Sequence, residues 1–423
     1  MKIKSIQAQE VLDSNGNPTI STKIELLSGD IGIAQVPSGA STGTTEVLEM
    51  RDQDPKRYDG KGVLNAVEIV NTTIEDIVLD HEFTSQKEFD DLLIKIDGTE
   101  LKNKFGGNTI LSCSMAFAKA VANSIGLELY EYIGMIYWDN EYKVEKLKLP
   151  IPQMLVLEGG KHGNWATDIQ EYMIVPNSSK YSTFAEQLRV STQVYQKIGK
   201  ILQQKEYSTG VGFEGAFAPR EMRENKEAFS IIMDGLTESG FKAEEDFTIA
   251  IDVASSEFFN QENQRYELKR ENLSLDSIEW ANLQKEWYIN YPISSIEDPF
   301  DQEDWNGWAR FMVEAGSRYQ IVGDDLLTTN TSRIKKGIER KAMNAVLIKP
   351  NQIGTVSETL DAIRMTVDNH MEAIISHRSG ETTDTFIADL VVGTAAKFSK
   401  FGAPNRGERI AKYNRLLDIE KRS

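Results

Sequence analysis

At 423 residues the chain exceeds one ordinary core, so two domains, or one large barrel with an appendage, are expected. Hydrophobic content of 40%, charged content of 26% and a net charge of −18 exclude general disorder and disfavour nucleic acid or anionic membranes as partners. No apolar run reaches about eighteen residues and the opening stretch lacks the apolar core of a signal peptide, so a soluble, cytoplasmic chain without a membrane span is expected.

The N-terminal segment predicts a meander of extended stretches: MKIKSIQAQEVLD, a turn at SNGNP, TISTKIELL, SGD and IGIAQVP. A loop of small residues, SGASTG at 38–43, follows and reads as mobile because no bulky side chain anchors it. From about residue 60 to 126 the pattern is helical, and NTILSCSMAFAKAVANSIG carries a candidate N-cap, Asn108, and a closing glycine, Gly126. The single cysteine, Cys113, lies in this helix; it permits neither an internal disulfide nor a Cys-based metal site. These elements predict an N-terminal α+β domain over 1–135.

From 136 to 423 short apolar runs alternate with amphipathic windows. The runs are PQMLVLEGG, QEYMIVP, GVGFEGAFAP, FTIAIDVASSE, ISSIEDPF, YQIVGDD, NAVLIKPNQIG, EAIISHRSGE and AAKFSKFGAP. Six of the later ones end at Asp252, Glu297, Asp324, Lys349, His377 and Lys400, mostly at intervals near the roughly 30 residues of one β/α barrel unit. An open doubly wound sheet alternates in the same way, but no G-x-G-x-x-G follows a strand here. The fold expected is α/β: a C-terminal TIM-like (β/α)8 barrel behind the α+β domain.

In a barrel those strand ends converge on one mouth. Each acid, taken singly, reads more readily as a helix cap or a solvated loop charge than as a ligand. Asp252, Glu297 and Asp324 together would repel one another unless a cation sat among them, and an all-oxygen donor set suits Mg²⁺. Lys349 and Lys400 close apolar strands; burial beside other cations would lower a lysine pKa and make it a general base, while pairing with an acid is the structural alternative. His377, Arg378 and Ser379 form an anion cradle, with Ser41 of SGASTG as a second candidate. Isolated histidines such as His162 are more often structural than catalytic. In VGFEGAFAPR, Glu214 is an acid with no charge neighbour in an apolar loop, where a raised pKa is expected.

The segments LDSNGNPT, VPSGASTG, YDGKGVLNAV, DIQEYMIVP, SIEDPF, VGDDL, LIKPNQIGTVSE, SHRSGETTDTFIADLVVG and GAPNRGERIAKYNRLL resemble the enolase family over essentially the whole chain. The resemblance implies the enolase type of barrel and Mg²⁺-dependent, reversible dehydration of 2-phospho-D-glycerate to phosphoenolpyruvate. It implies two Mg²⁺ per site: one on Asp252, Glu297 and Asp324, the second on Ser41 with the substrate phosphate. It further implies Lys349 as the base at C2, Lys400 as a stabiliser of the dianionic intermediate, and Glu214 as the acid at the leaving hydroxyl, aided by Glu171 and His162. Arg378 and Ser379 would hold phosphate and His377 would line the pocket. A homo-oligomer is implied, a dimer or an octamer of dimers, in glycolysis or gluconeogenesis.

The sequence departs from the family at several points. Phe213 and Ala216 replace the usual residues around the catalytic glutamate, Leu155 and Glu158 stand where asparagines are usual, and Asn15 replaces an arginine commonly found at the subunit contact. Pro350 follows the base and removes a backbone donor there. A specificity change would leave such a pattern, so a paralogue acting on a phosphonate or carboxyphosphono analogue is the alternative. Surface binding, at the cell surface or after secretion without a signal peptide, is a lesser one; the terminal EKRS lacks paired lysines.

Overall fold

The structure is a computed structural model that describes residues 1–39, 43 and 45–422. Strands β1 (Ile3–Leu12), β2 (Pro18–Leu26) and β3 (Ile31–Gln35) form the expected antiparallel meander. The SNGNP turn closes on Asp13, whose Oδ1 accepts from the amides of Asn15 and Asn17 at 2.8 and 2.9 Å. The helix Gly107–Ser124 packs on β2 and β3 at backbone distance: a Cβ on Gly32 would lie 2.0 Å from the Ala116 carbonyl. Only glycine fits there.

The cap of that helix differs from expectation. Gly106 is the N-cap, and Asn108 lies inside the first turn, where its side chain exchanges hydrogen bonds with the Met50 backbone. Gly126, at φ +69°, closes the C-terminal end as expected. Cys113 is buried in this layer and burial pushes its thiol up to about 12, so it is inert.

The barrel is built from β4 (Ile151–Pro152), β5 (Met154–Glu158), β6 (Glu171–Pro176) and β7 (Phe247–Asp252). A small separate sheet of β8 (Phe259–Asn260), β9 (Arg265–Leu268) and β10 (Leu273–Leu275) interrupts the series. It resumes with β11 (Ile293–Glu297), β12 (Gln320–Gly323), β13 (Ala345–Ile348), β14 (Glu372–Ser376) and β15 (Phe398–Lys400). The sheet runs β4-β15-β14-β13-β12-β11-β7-β6-β5. Since only Gln153 separates β4 from β5, and its amide donates to the Ser399 carbonyl at 2.8 Å, the two act as one stave and the cylinder closes.

One stave runs backwards. β6 is antiparallel to both β5 and β7, so its first residue, Glu171, lies opposite Glu158 and Asp252 at the end where the other strands finish. GVGFEGAFAP, which reads as a strand, is instead a loop, joined to its surroundings by isolated bridges such as Leu157 to Phe217. Among the described residues no single helix is long and apolar enough to cross a membrane.

Strand parity then delivers the charges. Val322, Ala345, Leu347 and Ile374 form a small cluster of their own, distinct from the main core. Side chains two apart share a face, so Asp324 follows Val322 and Lys349 follows Leu347 onto that inner face, just above the apolar plug.

Candidate active site

Ten of the expected residues line one narrow cleft at the barrel mouth: His162, Glu171, Glu214, Asp252, Asp324, Lys349, His377, Arg378, Ser379 and Lys400. Glu297 lies beneath it, under Lys400. Ser41 falls outside the described residues. Every one of these described side chains except Lys349 is buried.

The three acids do have cations among them. The Lys400 ammonium lies 3.1 Å from Asp252, 2.8 Å from Glu297 and 3.1 Å from Glu171. Lys349 pairs with Asp324 at 2.5 Å. Burial opposes the charge on both lysines, but Asp324 overrides it for Lys349, and Asp252, Glu171 and Glu297 do so for Lys400; both pKa values are raised. The expectation of a lowered lysine pKa is therefore corrected: neighbouring carboxylates outweigh burial and neighbouring cations.

Two lysines do not neutralise this mouth. Asp298 and Asp325, each next in sequence to an expected ligand, add two more carboxyl groups. Asp298 accepts from the amides of Asp324 and Asp325 at 3.0 and 2.8 Å. Burial and the Asp324 carboxylate push Asp325 up to about 8; burial, with Asp325 and Asp324, raises Asp298, and burial with Asp252 raises Glu297. Oxygens of Asp298, Asp324 and Asp325 lie close enough together to hold one ion. The all-oxygen donor set and its uncompensated charge fit a hard divalent cation such as Mg²⁺.

On the opposite wall Glu214 sits between two imidazoles, 3.3 Å from His162 Nδ1 and 3.2 Å from His377 Nε2. Burial works against its charge, yet His377, His162 and Arg409 hold it well below the usual carboxylate range. The expected raised pKa is thus corrected, because the imidazoles and the guanidinium that matter come from distant parts of the chain. The proton goes to the neighbours. His162 is raised, burial being outweighed by Glu214 and Glu171, while burial with Glu214 raises Glu171 to about 7. Burial drives His377 down to about 4, so it is neutral.

Phe213 does not line the cleft. The residue is 43% exposed and lines an adjoining cavity of about 500 Å³, which Lys161 and Arg406 also line. Pro350 is the first residue of a single helical turn capped by Lys349; an amide there would be unsatisfied anyway, so the proline removes nothing the fold uses. Arg378 is held by Glu46 at 2.8 Å and by Asn351 at 3.1 Å.

Several site residues escape sequence reasoning. Glu46 lies just past VPSGASTG, outside the segments that carry the resemblance, whereas Arg409 lies inside one of them, GAPNRGERIAKYNRLL. Gln352, whose amide donates to Asp324 Oδ1 at 3.0 Å, lies three residues beyond Lys349.

Residues 3–133 match the enolase N-terminal domain, and residues 146–422 match the enolase C-terminal TIM barrel domain. Members of the enolase superfamily bind Mg²⁺. With both domains matched and an acid-lined cleft at the barrel mouth, the chain belongs to the enolase family, among the lyase-type enzymes of the enolase superfamily.

Proposed function

We propose that the chain is a phosphopyruvate hydratase, interconverting 2-phospho-D-glycerate with phosphoenolpyruvate and water. The observation that carries this reading is the placement of Lys349 and the Glu214–His162–Glu171 group in the lining of one cleft. Removal of a proton from C2 and loss of a hydroxyl from C3 need a base and an acid facing different atoms of one substrate.

Lys349, once neutral, accepts the C2 proton. Lys400, the most heavily paired cation of the site, offsets negative charge that develops on the substrate. The proton for the departing hydroxyl comes from the group of His162, Glu171 and Glu214, whose carboxylates lie 3.7 and 3.3 Å from His162 Nδ1, with Glu214 as the group that delivers it. Arg378 and Ser379, with Ser41, bind phosphate. Asp252, Glu297 and Asp324 would hold Mg²⁺, with Asp298 and Asp325 close to Asp324; when bound, the ion would supply Lewis-acid polarisation of the substrate carboxylate. Local cations thus reverse the sign of an acidic protein where a polyanion must bind.

The same reading includes a cytoplasmic homo-oligomer, a dimer or an octamer of dimers, working in glycolysis or gluconeogenesis. One observation favours a second substrate class: the cavity beyond Phe213 would admit a phosphonate or carboxyphosphono analogue larger than 2-phosphoglycerate. Phosphoenolpyruvate absorbance separates the two. With Mg²⁺, 2-phosphoglycerate should turn over within the usual range of about 1–10³ s⁻¹; a rate far below that rejects the first substrate in favour of the second.

A further inference from the structure

Glu158 ends β5 fully buried and has no ion-pair partner among the described residues. Its carboxyl is instead spent on backbone. The amide of Ala216 donates to Oε1 at 2.7 Å, and the amide of Glu214 donates to both oxygens at 3.2 Å. Among the described residues no other acceptor serves the Glu214 amide.

The loop is shaped to this contact. A Cβ on Gly212 would lie 2.3 Å from Glu158 Oε2 and 2.6 Å from the His162 carbonyl, so glycine lets the segment settle onto the carboxyl. On its far side the Glu214 carbonyl accepts from the Ala403 amide at 3.0 Å, and the Phe213 amide donates to the His162 carbonyl at 3.2 Å. Held on both sides, the Glu214 peptide has one orientation, and the carboxylate it carries falls between the imidazoles of His162 and His377.

We propose that Glu158 is a positioning residue, whose carboxyl fixes the 214–216 backbone from beneath and thereby sets Glu214 between its two histidines. An acceptor with two oxygens on a three-carbon reach serves both amides at once. Burial and the nearby Glu214 charge favour its neutral form, which spares the cluster a further unpaired anion. The kinetic consequence rests on the proposed role of Glu214 in dehydration; the geometric claim does not.

The test compares Glu158→Ala, Glu158→Gln and Gly212→Ala in the full chain, with circular dichroism confirming the fold. Histidine ring titrations are followed by NMR; His81 and His370 are exposed and serve as internal references. Glu214 raises both of its histidine partners. Glu158→Ala and Gly212→Ala should therefore lower the midpoints of His162 and His377 by about one unit, the scale of a nearby carboxylate. Glu158→Gln, which keeps an acceptor, should leave them within a few tenths. On 2-phosphoglycerate, Glu158→Ala should lose about 10- to 100-fold in kcat with KM nearly constant, and Glu158→Gln should recover most of it. Unmoved histidines in folded Glu158→Ala or Gly212→Ala overturn the proposal, as do equal shifts in Glu158→Ala and Glu158→Gln, which would assign the effect to charge. If the parent protein fails to turn over 2-phosphoglycerate, the titrations still decide the geometry, so the two failures are distinguishable.

Discussion

Arg409 donates to His377 Nδ1 at 2.7 Å. A guanidinium has no acceptor to offer, so Nδ1 carries the lone pair and the ring hydrogen sits on Nε2, facing Glu214 at 3.2 Å. A buried arginine on the C-terminal helix Gly407–Arg422 thus chooses the tautomer of a residue in the cleft.

Arg409→Met removes that choice and strips donors from the carbonyls of Phe213, Arg378 and Ser379. Stripping a donor from a buried acceptor costs about 1–3 kcal/mol, so denaturant unfolding should show a loss of at least about 1 kcal/mol. The folded fraction should also lose about 10²-fold in kcat; unchanged kinetics would detach Arg409 from the site.

Lys349→Ala should abolish exchange of the C2 proton of 2-phosphoglycerate with deuterated water, followed by NMR, while divalent cation binding stays within a few-fold. The rate loss expected for a general base is about 10²–10⁴-fold. Undiminished exchange removes Lys349 from that role.

The acid cluster at the mouth predicts a cation-dependent melting temperature. At about 100 times its Kd, Mg²⁺ should add about 2.7 kcal/mol to unfolding, and EDTA should reverse the gain and stop turnover. A melting curve indifferent to Mg²⁺ would count against the carboxylates as its site.

Asp246 predicts an acid limb of stability away from the cleft. Burial opposes its charge, but Lys180 at 2.5 Å, the Tyr181 hydroxyl at 2.5 Å and the Lys242 amide at 2.9 Å bring its pKa down to about 2. Because the folded value is the lower one, its contribution is complete above about pH 4 and disappears as pH falls from 4 to 2. Asp246→Asn should cost about 1.5–3 kcal/mol at neutral pH and flatten that limb in pH-dependent urea melts.

Much of this site is readable from period and spacing. Lys349, Asp324 and Lys400 each follow an apolar run whose alternation points them inward, and regular intervals bring those runs to one mouth. Glu171 obeys a different rule, since it reaches the mouth by opening a reversed strand. The protonation pattern is not readable, because Glu214 answers to His162, His377 and Arg409, far apart in sequence. Nor is the seat of its loop: VGFEGAFAP looks like a strand by composition, whereas glycine at 212 and the Glu158 carboxyl make it a turn pressed on β5.

The closure of the cylinder has a consequence for synthesis. The first stave, β4 with β5, hydrogen-bonds to β15, which ends at Lys400. A nascent chain therefore leaves one edge of the sheet open until almost its last residues emerge. Lys400, paired with three carboxylates of the mouth, arrives on the strand that seals it, so a prematurely ended chain lacks the seam and the cation together.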